Sequence, residues 1–162
     1  MSGAPIRRRA RGFTIIELLV TVTLVSIMAS IAIPVGETLV RRERERELRD
    51  VLRVLRGAID DYKRASDGGH IAGAPGDSGY PKRLDDLLGV RDLKDPHGGE
   101  LRFLRRLPRN PLVADPGIPA HQTWGLRSYA SEHAHPLPGK DIFDVYPLGG
   151  GSGINGVPYA QW

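Results

Sequence analysis

A chain of 162 residues, 40% hydrophobic and 26% charged, has room for one membrane helix and one small globular domain, not for several domains. It has no cysteine, which excludes a disulfide framework and thiol chemistry. The net charge of +4 resides in Arg7, Arg8, Arg9 and Arg11: without residues 1–12, 19 of the 23 basic residues remain against 19 acidic ones. A nucleic-acid surface keeps its basic excess in the folded domain, so nucleic acid is not an expected partner.

From Phe13 to Val35 the chain is apolar or small and long enough to cross a bilayer as a helix. One carboxylate, Glu17, interrupts it. An acid inside a membrane span costs roughly 2.5–3.5 kcal/mol at the centre and less near the end, so Glu17 is a candidate functional group in need of a partner. A local reading stands beside that one. Thr14-Ile15-Ile16-Glu17 has the T-x-x-E spacing of a capping box, and a carboxylate in the first turn suits the positive end of the helix dipole. A secretory signal cleaved after Ser30-Ile31-Ala32 and an uncleaved signal anchor are the rival readings of this region. Basic residues flank the span on both sides, so counting them leaves its orientation open.

Pro34-Val35-Gly36 predicts a kink or local loosening of the helix. Beyond it Leu48, Val51, Leu52, Leu55, Ala58, Ile59 and Tyr62 recur at three- and four-residue steps, a single apolar stripe whose partner must lie downstream. The alternating charges of residues 42–47 read as a solvated face, supported by i,i+4 pairs worth about 0.2–0.5 kcal/mol each. A continuous helix from Phe13 to about Ala65 would be on the order of 80 Å long.

Ser66-Asp67-Gly68-Gly69 ends the helix, and the Gly- and Pro-rich stretch to Gly79 reads as a loop. Residues 83–88 suggest a short amphipathic helix, residues 89–100 a polar turn region, and residues 103–111 an irregular segment. Trp124–Ala130 and Asp141–Tyr146 are the strand candidates, joined through residues 135–139. Residues 149–156 form a glycine-rich loop before the tail that reaches Trp162.

Arg11-Gly12-Phe13-Thr14-Ile15-Ile16-Glu17-Leu18-Leu19-Val20, with Pro34 behind it, resembles the processing and assembly segment of type IV prepilins and type II secretion pseudopilins. The resemblance implies cleavage after Gly12 by a prepilin peptidase, N-methylation of Phe13, and pairing of Glu17 with the N-terminal amine of a neighbouring subunit. Pro34 falls where pilins commonly carry a helix-breaking proline. Tyr80-Pro81, residues 107–111, Phe143-Asp144-Val145-Tyr146 with Leu148-Gly149, and Trp162 narrow it to the major, G-type pseudopilin of the type II secretion system.

Such a protein is an α+β, pilin-like subunit. Its long N-terminal helix, membrane half and amphipathic half, packs on a small antiparallel sheet with an irregular C-terminal loop. The implied division is a cleaved leader 1–12, a membrane and filament-core helix 13–35, an amphipathic half 36–66 and a globular domain 67–162. The implied location is the bacterial inner membrane, single-pass, with the domain in the periplasm. The implied partners are further copies of the chain in a helical homopolymer, minor pseudopilins, the prepilin peptidase, an inner-membrane assembly platform and lipid. A type IV pilus subunit for adhesion, motility or DNA uptake is the runner-up, although adhesive pilins often carry a cysteine pair absent here. A membrane-anchored binding domain is the rival of a different class.

G-type pseudopilins usually bind calcium in the loop after the last long strand, through aspartates and main-chain carbonyls. Calcium takes six to eight oxygens, several of them anionic. Here residues 148–162 contain neither Asp nor Glu. The carbonyl of Leu148 with Ser152 and Asn155 is the candidate neutral set, with Asp144 reaching in from the strand, and it would bind weakly. Glu132-His133-Ala134-His135 lacks the spacing of a helical zinc pair. No nucleophile–base or phosphate-binding motif stands out, so no enzyme is expected.

Overall fold

The computed structural model describes residues 12–132 and 135–162, with the side chains of residues 31–37 outside that description. Among the described residues there is one α-helix, α1, spanning Ile15–Asp67. Residues 34–36 lie within it, so Pro34 and Gly36 do not end the helix. The chain forms two compact units, one ending at Val40 and the other spanning Arg41–Trp162. α1 closes in a Schellman motif: the His70 N–H donates to the Ala65 carbonyl at 3.0 Å and the Gly69 N–H to that of Ser66 at 2.9 Å.

In the second unit the apolar stripe of α1 is the spine of the core. Leu48, Leu55 and Ile59 are fully buried, and Leu52, Ala58 and Tyr62 nearly so. They pack with Leu84, Leu87, Trp124, Ile142, Val145 and Tyr159. Leu84–Leu87 is a single 3-10 turn instead of a longer helix, and it inserts its two terminal leucines into that core.

Among the described residues four short strands follow, arranged as two separate antiparallel pairs and not one sheet. β1 (Val90–Arg91) pairs with β2 (Glu100–Leu101), and β3 (Trp124–Arg127) with β4 (Asp144–Pro147). The β1–β2 connection is turned by Asp95, whose carboxylate accepts the N–H groups of His97 and Gly99 at 2.9 and 3.0 Å.

β3 stops three residues short of the predicted Ala130, and β4 starts three after the predicted Asp141. The cause is local competition. The Ser128 N–H turns to the Leu137 carbonyl, and the Asp141 carboxylate takes the Ser128 hydroxyl at 2.7 Å and the Tyr129 N–H at 2.9 Å. Residues 149–156 are the expected loop. Gly149, Gly150 and Gly151 have φ of 125°, 68° and 88°, a run that a residue with a Cβ would resist.

Candidate functional site

The N-terminal segment is open. A Cβ added at Gly12 would meet nothing within 4 Å, and Phe13 is 81% exposed, so the bond between them is accessible. The helix then starts with the capping box expected from T-x-x-E. The Glu17 N–H donates to Thr14 Oγ1 at 3.2 Å, and the Thr14 N–H points back to Glu17 Oε2 at 3.5 Å. Among the described residues this long return contact is the only hydrogen bond of the carboxylate. The capping role is therefore visible in a single chain, and it leaves most of the acceptor capacity of Glu17 unused.

Behind the cap, the large apolar side chains from Ile15 to Met28 are each between 48% and 88% exposed. A surface patch of that extent marks contact with lipid or protein. The hydroxyls within it are satisfied by the helix itself. Thr21, Thr23, Ser26 and Ser30 donate to the carbonyls of Leu18, Leu19, Val22 and Ile27 at 2.7–2.9 Å, so none needs water. Among the described residues no helix is long and apolar enough to cross a membrane. The predicted span Phe13–Val35 includes residues 31–35, whose side chains lie outside the description. The side chain of Pro34 is outside the description, and the arginines of the leader lie outside the described residues.

Three oxygens of the candidate residues in the C-terminal loop are engaged by the protein. The Leu148 carbonyl accepts from the Asn110 amide at 2.7 Å, Asn155 Oδ1 from the Val157 N–H at 3.1 Å, and the Ser152 carbonyl from the Arg41 guanidinium. Asp144 lies between two arginines, 2.7 Å from Arg56 Nε and 3.2 Å from Arg127. His135 contributes its carbonyl to Ser131, and His133 lies outside the described residues. Among the described residues no three His, Asp or Glu side chains gather as a metal set.

One residue corrects the reading of 42–47 as a wholly solvated face. Glu45 is 3% exposed. Its carboxylate accepts the Ile154 N–H at 2.8 Å and the Tyr159 hydroxyl at 3.0 Å, and Arg41 and Arg49 stand 3.6 Å away on either side. The signal was in the spacing: Glu45 precedes Leu48 and Leu52 by three and seven residues, on the stripe that faces the core. Arg49 also covers the ring of Trp162 at 4.4 Å.

Burial alone would raise the pKa of Asp141, but hydrogen bonds from Ser78, Ser128 and the Tyr129 N–H outweigh it and hold the group below the usual carboxylate value. The Lys94 N–H, followed by His70, does the same for Asp92.

Residues 7–33 match the family model described as the prokaryotic N-terminal methylation motif. The motif supports a prepilin-type, pilin-like subunit, and it covers Gly12, Phe13 and Glu17. No curated protein and no solved structure matches the chain.

Proposed function

We propose, with the N-terminal methylation motif as premise, that the chain is a filament subunit of the type II secretion pseudopilus, made as a prepilin and anchored in the bacterial inner membrane with its domain in the periplasm. The observation that carries this reading is the helical segment of residues 15–30, apolar and exposed along its length with its hydroxyls internally bonded, starting directly behind an accessible Gly12–Phe13 bond. Such a helix needs lipid before assembly and other helices after it. Cleavage after Gly12 turns an amide into the ammonium of Phe13, and N-methylation keeps that charge. In a dry helix bundle the ammonium requires an anion, and Glu17 of an adjacent copy supplies one.

The preference for the pseudopilus over a type IV pilus rests on the resemblance in the C-terminal domain. Its residues have structural work there. Tyr80 meets Phe143 edge-on at 5.1 Å, and Asn110 of the Leu107–Pro111 segment reaches Leu148. The working partners on this reading are further copies, minor pseudopilins, the prepilin peptidase, the assembly platform and lipid. Pro34 is proposed to assist packing of the helices in the filament.

The test is intact-mass analysis and N-terminal sequencing of protein purified from bacterial membranes that contain a prepilin peptidase. The expected chain begins with N-methylated Phe13, Gly12→Leu leaves the full-length chain, and Glu17→Ala is cleaved and inserted but yields few or no filaments. A Met1 start in the parent protein, or cleavage after Ala32, would overturn the reading.

A further inference from the structure

Calcium in the loop after the last strand is what the family resemblance implies, and the residues present do not fit it. The Leu148 carbonyl, the Ser152 carbonyl and Asn155 Oδ1 already accept hydrogen bonds from Asn110, Arg41 and Val157. The carboxylate that reaches the loop belongs to α1: it is Glu45, with a guanidinium on each side at 3.6 Å. A divalent cation placed on Glu45 would meet two positive charges at close range, where the repulsion is strongest.

The same atoms make a different fastening. Glu45 holds the loop through the Ile154 N–H and the Tyr159 hydroxyl, while Arg41 holds the Ser152 carbonyl. Further along the helix Arg49 stacks on Trp162, and Arg56 joins the Trp162 main-chain oxygen to Asp144 and the Val145 carbonyl. The four helix residues fall at steps of four, four and seven, so one face of α1 carries the whole set.

We propose that residues 148–162 are fastened to α1 by an intramolecular lock centred on Glu45, in which arginine side chains occupy the role of a divalent cation, so that the fold of this segment does not depend on calcium. The lock is a property of the domain and holds whether or not the chain polymerises, so its failure and failure of the filament reading are separate results.

The experiment uses the full chain in detergent micelles. Thermal unfolding in excess calcium chloride and in excess EGTA should give the same midpoint, and a calcium titration should show no saturable heat. Glu45→Gln keeps the shape and one acceptor oxygen but removes the charge between the guanidinium groups. It should lower the midpoint by roughly 5 °C or more and speed proteinase K cleavage within residues 149–157 by about tenfold. Glu43→Gln, at an exposed position of the same run, should do neither.

If Glu45→Gln does not fold, Tyr159→Phe is the milder variant, and it should speed cleavage in that segment with a smaller change in midpoint. A midpoint that falls on chelation and returns with calcium would overturn the proposal. So would cleavage and unfolding unaltered in Glu45→Gln.

Discussion

Gly125 and Tyr146 are directly paired across β3 and β4, and the tyrosine ring lies over the glycine where a side chain would otherwise stand. A Cβ at position 125 would come within 2.2 Å of ring atoms. Gly125→Ala should therefore force the ring aside and cost about 1–3 kcal/mol, measurable by denaturant unfolding. Tyr146→Ala in the same chain should recover part of the loss, because the two changes share one contact. The glycine is thus a packing requirement, and strand propensity alone would have counted it as a weakness.

Among the elements, the irregular Leu107–Pro111 segment is held by one buried side chain. The Asn110 amide nitrogen donates to the carbonyls of Thr123 and Leu148 at 3.1 and 2.7 Å, and its oxygen accepts the Leu112 N–H at 2.9 Å. It binds the start of β3 to the end of β4 without belonging to either strand. Asn110→Ala would remove three hydrogen bonds made by a buried side chain, and a loss on the order of 3 kcal/mol is expected in the same unfolding assay. Near-UV circular dichroism should report loosening around Trp124, whose Nε1 donates to the Pro108 carbonyl.

The helix and its core face were legible in the sequence, because a stripe as long as Leu48 to Tyr62 has an unmistakable period. The strand pairs were legible only in part. Val90–Arg91 and Glu100–Leu101 are too short to show alternation, and the ends of β3 and β4 are set by Ser128 and Asp141, whose side chains compete with the ladder. At the candidate site, Gly12, Phe13 and Glu17 are local in sequence and carry a motif. The hydrogen-bond partners of Glu45, Ile154 and Tyr159, lie more than a hundred residues away, and charge alternation around it concealed its burial.

For the molecule as a whole, the depressed pKa values of Asp92 and Asp141 set an acid limit. A carboxyl whose folded pKa lies below its unfolded value of about 3.9 adds stability above that value and loses it as pH falls through the folded pKa. These two groups should leave the melting midpoint level from neutral pH to about 4.5 and contribute to its fall below about 4. Asp141→Asn should lower the midpoint at pH 6 and matter less at pH 2.5, which a series of melts across that range would check.

The long loop closed by Glu45 also sets a timetable for biosynthesis. Its hydroxyl partner, Tyr159, lies 114 positions later in the chain. At about 5–20 residues per second, roughly 6–23 s separate the synthesis of the two. Until Tyr159 is made, the leucine face of α1 lacks the part of its cover that the C-terminal segment supplies. A newly made chain therefore offers holding chaperones a partly uncovered helix face until translation of the remainder is complete.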